Sequence, residues 1–346
     1  MKILIVKLGS IGDIVHALPA LAAIRRSLPD AEITWVAEER SAEIIRQNPM
    51  IDNLVEVNTR AIRPGSGADS IIGELRRQVR GVRLHQYDVA LDLQGLLKSA
   101  AIAKISGAAK RVGFERPQLR EPISRVFLTD TVAVEPHIHV IRKNLRLAGG
   151  ALGIPVDDHP LEFPIAADAG HIAESEALCD LAGGRFAILN PAGGWVTKLW
   201  PAENFGRLAD KIWNELGIVP IITTGPGDVE LADIVSKNSL SGKTIYARPS
   251  LKGFYELAKR ATLYVGGDTG PTHIAFAAGA PIVGLFGPTE WWRNGSLDPS
   301  DICVERTDIA CRINCHRRTC SNWICMDIDV DTVFEAVKQR IGSQNL

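Results

Sequence analysis

Between the apolar runs "ATLYV" and "IVGLFG" the chain places Gly266-Gly267-Asp268-Thr269-Gly270-Pro271-Thr272-His273. An acid, two hydroxyls, a glycine, a proline and a histidine on a strand-to-helix turn suit the capture of an anion. The first turn of a helix leaves its amides free to face a negative charge, and its dipole favours one. Gly270 opens the backbone to a ligand, Pro271 fits a first helical turn, Thr269 offers its backbone and His273 adds a donor. Asp268 is too near the expected phosphate to favour it and is assigned to sugar hydroxyls.

Three other strand-end loops carry similar chemistry. In "KLGSIGDIVH", Gly9 and Gly12 permit a tight turn, and Asp13 stands at a helix start. There it either caps the helix or acts as a general base. In "LNPAGGWVTKLWPAENF", Gly193 and Gly194 follow a strand, and Lys198 precedes a helix opening at Pro201, an arrangement suited to a diphosphate. The alternative for Lys198 is a solvated side chain. In "TTGPGDVE", Glu230 falls early in a helix and could accept hydrogen bonds from ribose hydroxyls or simply complement the helix dipole.

The elements that must position these loops alternate strand with helix in both halves, which predicts α/β architecture with parallel, doubly wound sheets. "KILIVKLG", "AEITWVAEE", "NLVEV" and "DVALDLQG" are strands of the first half; "RFAILNPAG", "VPIITTGP", "TIYA" and "TLYVGGD" are strands of the second. The proline- and acid-rich stretch around 155–170 separates them. The expectation is one domain over 1–160, another over 175–346 and a linker at about 161–174, with a cleft between two sheets. At 346 residues two domains are also the prior. Ligands of such sheets lie beyond the carboxyl ends of the strands.

Residues 1–150 carry 22 Lys and Arg against 16 Asp and Glu, and the remainder 17 against 24. The basic half predicts an anionic partner or a negatively charged membrane surface, or else a solvated face. No apolar run reaches the roughly 18 residues of a membrane span, and Asp13 stands where a signal-peptide cleavage site would need small residues. A cytoplasmic protein is expected.

Lys7-Leu8-Gly9-Ser10-Ile11-Gly12-Asp13 with Leu18-Pro19, Asp268 to His273, and Phe286-Gly287-Pro288-Thr289 together resemble glycosyltransferase family 9, the lipopolysaccharide heptosyltransferases. "WVAEE" at 35–39, "DLQGLLKSA" at 92–100, "REP" at 120–122 and His139 are most similar to heptosyltransferase I. The resemblance implies a GT-B fold of two Rossmann-like domains, the N-terminal one binding acceptor and the C-terminal one the nucleotide sugar. It also implies inverting transfer of heptose from ADP-heptose to Kdo on the lipid A precursor, at the inner face of the inner membrane. Asp13 would be the base, with Ser10 and Gly12 beside the acceptor. Gly193, Gly194, Lys198, Thr269, Gly270 and His273 would hold the diphosphate side of the donor, with Glu230 on ribose and Asp268 on heptose. Arg60, Arg63, Lys98, Arg120 and His139 would bind the acidic acceptor, in a chemistry Arg suits by its bidentate fit.

Gly193-Gly194-Trp195 lacks hydroxyl side chains, and the cysteine-bearing C-terminal segment is similar to heptosyltransferase II, which stands as the alternative. Outside the family, the N-terminal loop leaves open an NAD-dependent oxidoreductase, although the third glycine of the dinucleotide fingerprint is missing. A non-catalytic glycolipid-binding protein is the third reading. No cofactor or catalytic metal is expected, since no strand ends in Asp-x-Asp, and no nucleic-acid partner. Cys311, Cys315, Cys320 and Cys325, with His316 nearby, lack paired C-x2-C knuckles, so a structural metal, a disulfide and packed free thiols all stay open.

Overall fold

The protein is described from a computed structural model covering residues 1–59, 77–157, 159–313 and 315–343. Arg60 and Arg63 lie outside the described residues. The chain divides into two compact units, Met1–Ala166 and Ala167–Leu346.

The first unit holds six parallel strands: β1 Lys2–Val6, β2 Glu32–Glu38, β3 Asn53–Val57, β4 Val89–Asp92, β5 Lys110–Phe114 and β6 Asp130–Val132. Their order is β3-β2-β1-β4-β5-β6. The order therefore reverses between β1 and β4, which pair in register from Ile3 against Val89 to Val6 against Asp92. Residues 3–6 are fully buried, as expected of a central strand covered on both faces.

The second unit repeats the plan with β7 Phe186–Asn190, β8 Val219–Thr223, β9 Ile245–Ala247, β10 Leu263–Gly267, β11 Ile282–Phe286 and β12 Ile302–Glu305. The order is β12-β11-β10-β7-β8-β9, so the reversal falls between β7 and β10. The covering helices carry apolar residues at helical spacing. Ala202–Leu216, for example, buries Phe205, Leu208, Ala209 and Ile212, and ends at Gly217 in the left-handed region.

Of the four strands beyond those the alternation predicts, β11 is the apolar run "IVGLFG", whereas β5, β6 and β12 match no predicted element. β5 opens with two charged residues, β6 is three residues long, and β6 and β12 are edge strands only half covered. None presents the buried apolar run of a central strand. The helix Ala169–Ala182 begins inside the stretch expected as linker, because the Asp168 carboxylate accepts from the His171 amide and caps it. The terminal helix Val330–Gly342 is capped by Asp329, whose side chain accepts from the amides of Asp331 and Thr332.

Gly9 is the glycine the first loop cannot replace. Its φ is +130°, and a Cβ there would lie 2.6 Å from the Ser41 hydroxyl oxygen. Gly9→Ala should cost about 1–3 kcal/mol of stability, read as a lower urea midpoint with an unchanged m-value.

Candidate active site

In each unit the loops at the reversal of strand order, where open α/β sheets bind ligands, carry candidate residues: Asp13 after β1 in the first, Lys198 after β7 and Asp268 after β10 in the second. In the first unit, the loop after β1 is fastened to the loop after β4. The Gln94 side-chain oxygen accepts from the amides of Leu8 at 3.1 Å and Gly9 at 3.4 Å. The Lys7 ammonium donates to the Leu93 carbonyl at 2.8 Å. These contacts fix the start of the short helix Ile11–Val15 that carries Asp13.

Asp13 Oδ2 accepts from the Ser10 amide at 2.8 Å and from its hydroxyl at 3.2 Å. Its other oxygen lies 3.8 Å from the Lys7 ammonium. The Asp13 side chain is 38% exposed, whereas that of Lys7 is 4% exposed. The helix-cap reading is therefore realised by a carboxylate that stays partly exposed and next to a buried cation. Burial lowers the pKa of Lys7, opposed by the charges of Asp13 and Asp92. Asp92 is fully buried and accepts from the Gln94 and Gly95 amides at 3.0 Å each, and burial raises its pKa.

Of the residues expected on the acceptor side, Ser10 is exposed and Gly12 buried, both in the Asp13 turn. Lys98 is half exposed and pairs with Glu38 at 3.2 Å; Glu38 is buried and also holds the Thr59 hydroxyl. Arg120 is exposed. His139 is turned inward instead: it is buried, and its Nδ1 accepts from the Ile141 amide at 3.1 Å, capping the helix Val140–Leu152. It stacks edge-on to His16 at 5.8 Å.

In the second unit, Asp268 at the end of β10 is the centre of a buried cluster. Its Oδ2 lies 2.6 Å from the Lys198 ammonium and 3.4 Å from the Asn294 amide nitrogen, and its Oδ1 lies 3.2 Å from His273 Nε2. Lys198 also donates to the Asp268 carbonyl at 3.2 Å and sits 4.3 Å from the centre of the Trp195 ring. The Asp268 side chain is only 4% exposed. Burial alone would raise its pKa, but the His273 hydrogen bond and the Lys198 charge overcome it and hold the carboxyl far below the usual range.

Both its oxygens meet neighbouring donors, so Asp268 holds Lys198 and His273 in place. Lys198 comes from the loop after β7 and His273 from the helix after β10, and Asp268 joins them. Gly193 lets the loops approach: a Cβ there would lie 2.8 Å from Leu199 Cδ2 and 3.5 Å from Thr269 Cγ2. Gly194 is exposed.

Thr269 is the N-cap residue of the helix Gly270–Ala277, with Pro271 in its first turn. The turn is locked from below, where Thr272 donates to the Gly267 carbonyl and meets the Tyr264 hydroxyl at 3.0 Å. Glu230 stands apart: it is exposed in the first turn of Val229–Lys237, and no described contact joins it to this cluster. Pro201 precedes its helix as the cap residue and does not open it, since the helix begins at Ala202.

Sequence reasoning singled out neither Lys7, Gln94, Asn294 nor Trp195 for a role. Lys7 carried a signal, a charge ending an otherwise apolar strand, whereas Asn294 lies in a segment with no motif. The six cysteines are all free thiols. Among the described residues no three His, Cys, Asp or Glu side chains are placed to hold a metal ion, and no helix is long and apolar enough to cross a membrane.

Comparison with known proteins meets this geometry. The profile of glycosyltransferase family 9 (heptosyltransferase) matches residues 74–323. Lipopolysaccharide heptosyltransferase 1 of Pseudomonas aeruginosa is 29% identical over 321 residues, covering 93% of this chain and 88% of that protein. Escherichia coli heptosyltransferase WaaC with ADP superposes with a TM-score of 0.79 at 22% identity, covering 98% of this chain and all of the other. E. coli ADP-heptose lipopolysaccharide heptosyltransferase II gives 0.78 at 19% identity, covering all of both chains. Two parallel six-stranded sheets of the GT-B class, each with its charged loops at the reversal of strand order, and a profile match over most of the sequence lead to one assignment: the protein belongs to glycosyltransferase family 9 (heptosyltransferase) and is a glycosyltransferase.

Proposed function

We propose that this protein transfers L-glycero-D-manno-heptose from ADP-heptose to Kdo of the lipid A-core precursor, with inversion at the anomeric carbon. The observation that carries the reading is the extended similarity to lipopolysaccharide heptosyltransferase 1, joined to a half-exposed carboxylate on the family's N-terminal motif. In this reading Met1–Ala166 takes the acceptor and Ala167–Leu346 the nucleotide sugar.

Asp13 removes the proton from the acceptor hydroxyl as that oxygen attacks the anomeric carbon. The bond from the anomeric carbon to the diphosphate breaks in the same displacement, and ADP leaves with the bonding pair. Lys198, His273 and the first amides of Gly270–Ala277 stabilise the charge developing on the leaving diphosphate. Asp268 keeps the first two in position, and Glu230 binds the ribose. Lys98, Arg120, Arg60 and Arg63 recognise the carboxylate and phosphates of the acceptor. His139, the remaining residue assigned to the acceptor, caps the helix Val140–Leu152.

The test is release of ADP from ADP-L-glycero-D-manno-heptose with and without de-acylated Kdo-lipid A. Acceptor-dependent release supports the reaction. Release only with a heptosylated acceptor would move the assignment to heptosyltransferase II chemistry, and no release with either would overturn it.

The basic surplus of the first 150 residues further supports a peripheral location on the inner face of the inner membrane. Raising salt from about 0.1 M to about 1 M shortens the Debye length from roughly 10 Å to 3 Å. It should therefore release the protein from vesicles rich in anionic phospholipid, as read by co-sedimentation. Retention at high salt would exclude an electrostatic attachment.

A further inference from the structure

The segment that carries four of the cysteines is fastened to the loop that carries Lys198. The Thr197 hydroxyl donates to the Arg317 carbonyl at 2.6 Å, and the Trp323 indole donates to the Thr197 carbonyl at 3.0 Å. Upstream, the His316 amide donates to the Pro288 carbonyl at 3.0 Å, and buried Arg312 donates to the Gly287 carbonyl at 3.1 Å while pairing with Glu305. Two of these bonds end on Thr197, the residue next to Lys198, and their partners lie on either side of Arg318.

Arg318 is placed by this strap over the ring of Trp195, its guanidinium carbon 5.2 Å from the ring centre. The Lys198 ammonium lies over the same ring at 4.3 Å. Lys198 is balanced by Asp268, whereas Arg318 is exposed and forms no ion pair among the described residues. Two cations thus meet one aromatic ring, and the described carboxylate partner there, Asp268, pairs with Lys198. The like charges repel, and an anion bridging them would relieve the repulsion and gain from both. Both cations lie within 5.2 Å of one ring centre, and an arginine offers a diphosphate two parallel donors where the lysine offers a point charge.

We infer that Arg318 is a second cation for the diphosphate of the nucleotide-sugar donor, delivered to the Lys198 loop by the cysteine-bearing strap. The inference rests on the donor assignment above and adds a residue that neither the motifs nor the strand-end loops point to. It also gives the strap a purpose, since the two Thr197 bonds flank Arg318 and hold it beside the Lys198 loop. Lys198 and Arg318 would divide the charge of the leaving group, so Arg318 acts on the part of the donor that ADP has and AMP lacks.

The experiment is calorimetric titration of ADP and of AMP into the wild type, Arg318→Gln, Arg318→Lys, Lys198→Ala and, as a control of equal charge change, Arg317→Gln. Arg317 is exposed and contributes its carbonyl, which the control retains. Arg318→Gln should weaken ADP about tenfold, the size of one charge-assisted hydrogen-bonded contact. AMP binding should stay unchanged, Arg318→Lys should recover part of the loss, and Arg317→Gln should bind as the wild type does. In turnover, the KM for donor should rise more than kcat falls. If Lys198→Ala loses ADP while Arg318→Gln keeps it, the inference fails and the donor assignment stands. Equal loss of ADP and AMP in Arg318→Gln would also overturn it, because the residue would then not read the diphosphate. A wild type that binds no ADP would overturn the donor assignment and this inference together.

Discussion

Asp13→Ala should lower the rate of heptose transfer by about 10²–10⁴-fold, the range a positioned general base contributes. ADP binding should be unchanged, because Asp13 and the Lys198 cluster belong to different units of the chain. The difficulty in testing Asp13 is its second task. Its carboxylate accepts from the Ser10 amide and hydroxyl and neighbours the buried ammonium of Lys7. Alanine removes the cap as well as the base, at about 1 kcal/mol of stability.

Asp13→Asn separates the two. The amide oxygen can still accept from Ser10, so the turn keeps its cap, but the side chain can no longer take a proton. Loss of turnover in both variants, with near-native urea midpoint in Asp13→Asn, identifies the base. Turnover retained by Asp13→Asn would show that the carboxylate serves only the turn, and the search would pass to another acceptor of the proton.

The second large effect is expected at Lys198. Its ammonium lies 2.6 Å from an Asp268 carboxylate that is almost wholly buried. Lys198→Ala leaves that charge with His273 and Asn294 alone, and breaking a buried pair in this way costs about 3–5 kcal/mol. ADP affinity and turnover should both fall, and by themselves those losses would not separate binding from folding. The double variant Lys198→Ala with Asp268→Asn does. Removing the stranded charge should restore much of the stability, read as recovery of the urea midpoint, while ADP binding stays lost. If ADP binding returned with stability, Lys198 would be a structural residue and the donor diphosphate would lie elsewhere.

The same cluster sets a pH dependence. The folded Asp268 carboxyl titrates below its ordinary value of 3.8. A carboxylate depressed on folding contributes its stability above the unfolded value and loses it as pH falls below. The stability difference between wild type and Asp268→Asn should therefore be largest near neutrality and shrink below about pH 4. A difference that did not change across that range would mean Asp268 is not ionised in the folded cluster.

The alternation of apolar runs with amphipathic helices is local, and it determined the parallel, doubly wound architecture and the strand-end loops that carry Asp13, Lys198 and Asp268. Glycines at Gly9 and Gly193 were also legible, since a turn at a strand end demands them. Strands β5, β6 and β12 were not, because short or edge strands carry little of the buried pattern that periodicity detects. Only the tertiary structure decided what the side chains do to one another. Lys7 finds the Leu93 carbonyl across 86 residues, and Lys198 finds Asp268 across 70. That pairing made Asp268 the anchor of Lys198 and His273, and a helix cap holds His139. Such partners are chosen by the order in which parallel strands are laid down, where a reversal brings together loops remote in the chain. A buried charge then takes whichever opposite charge the sheet presents, since burial without one would cost more than the contact returns.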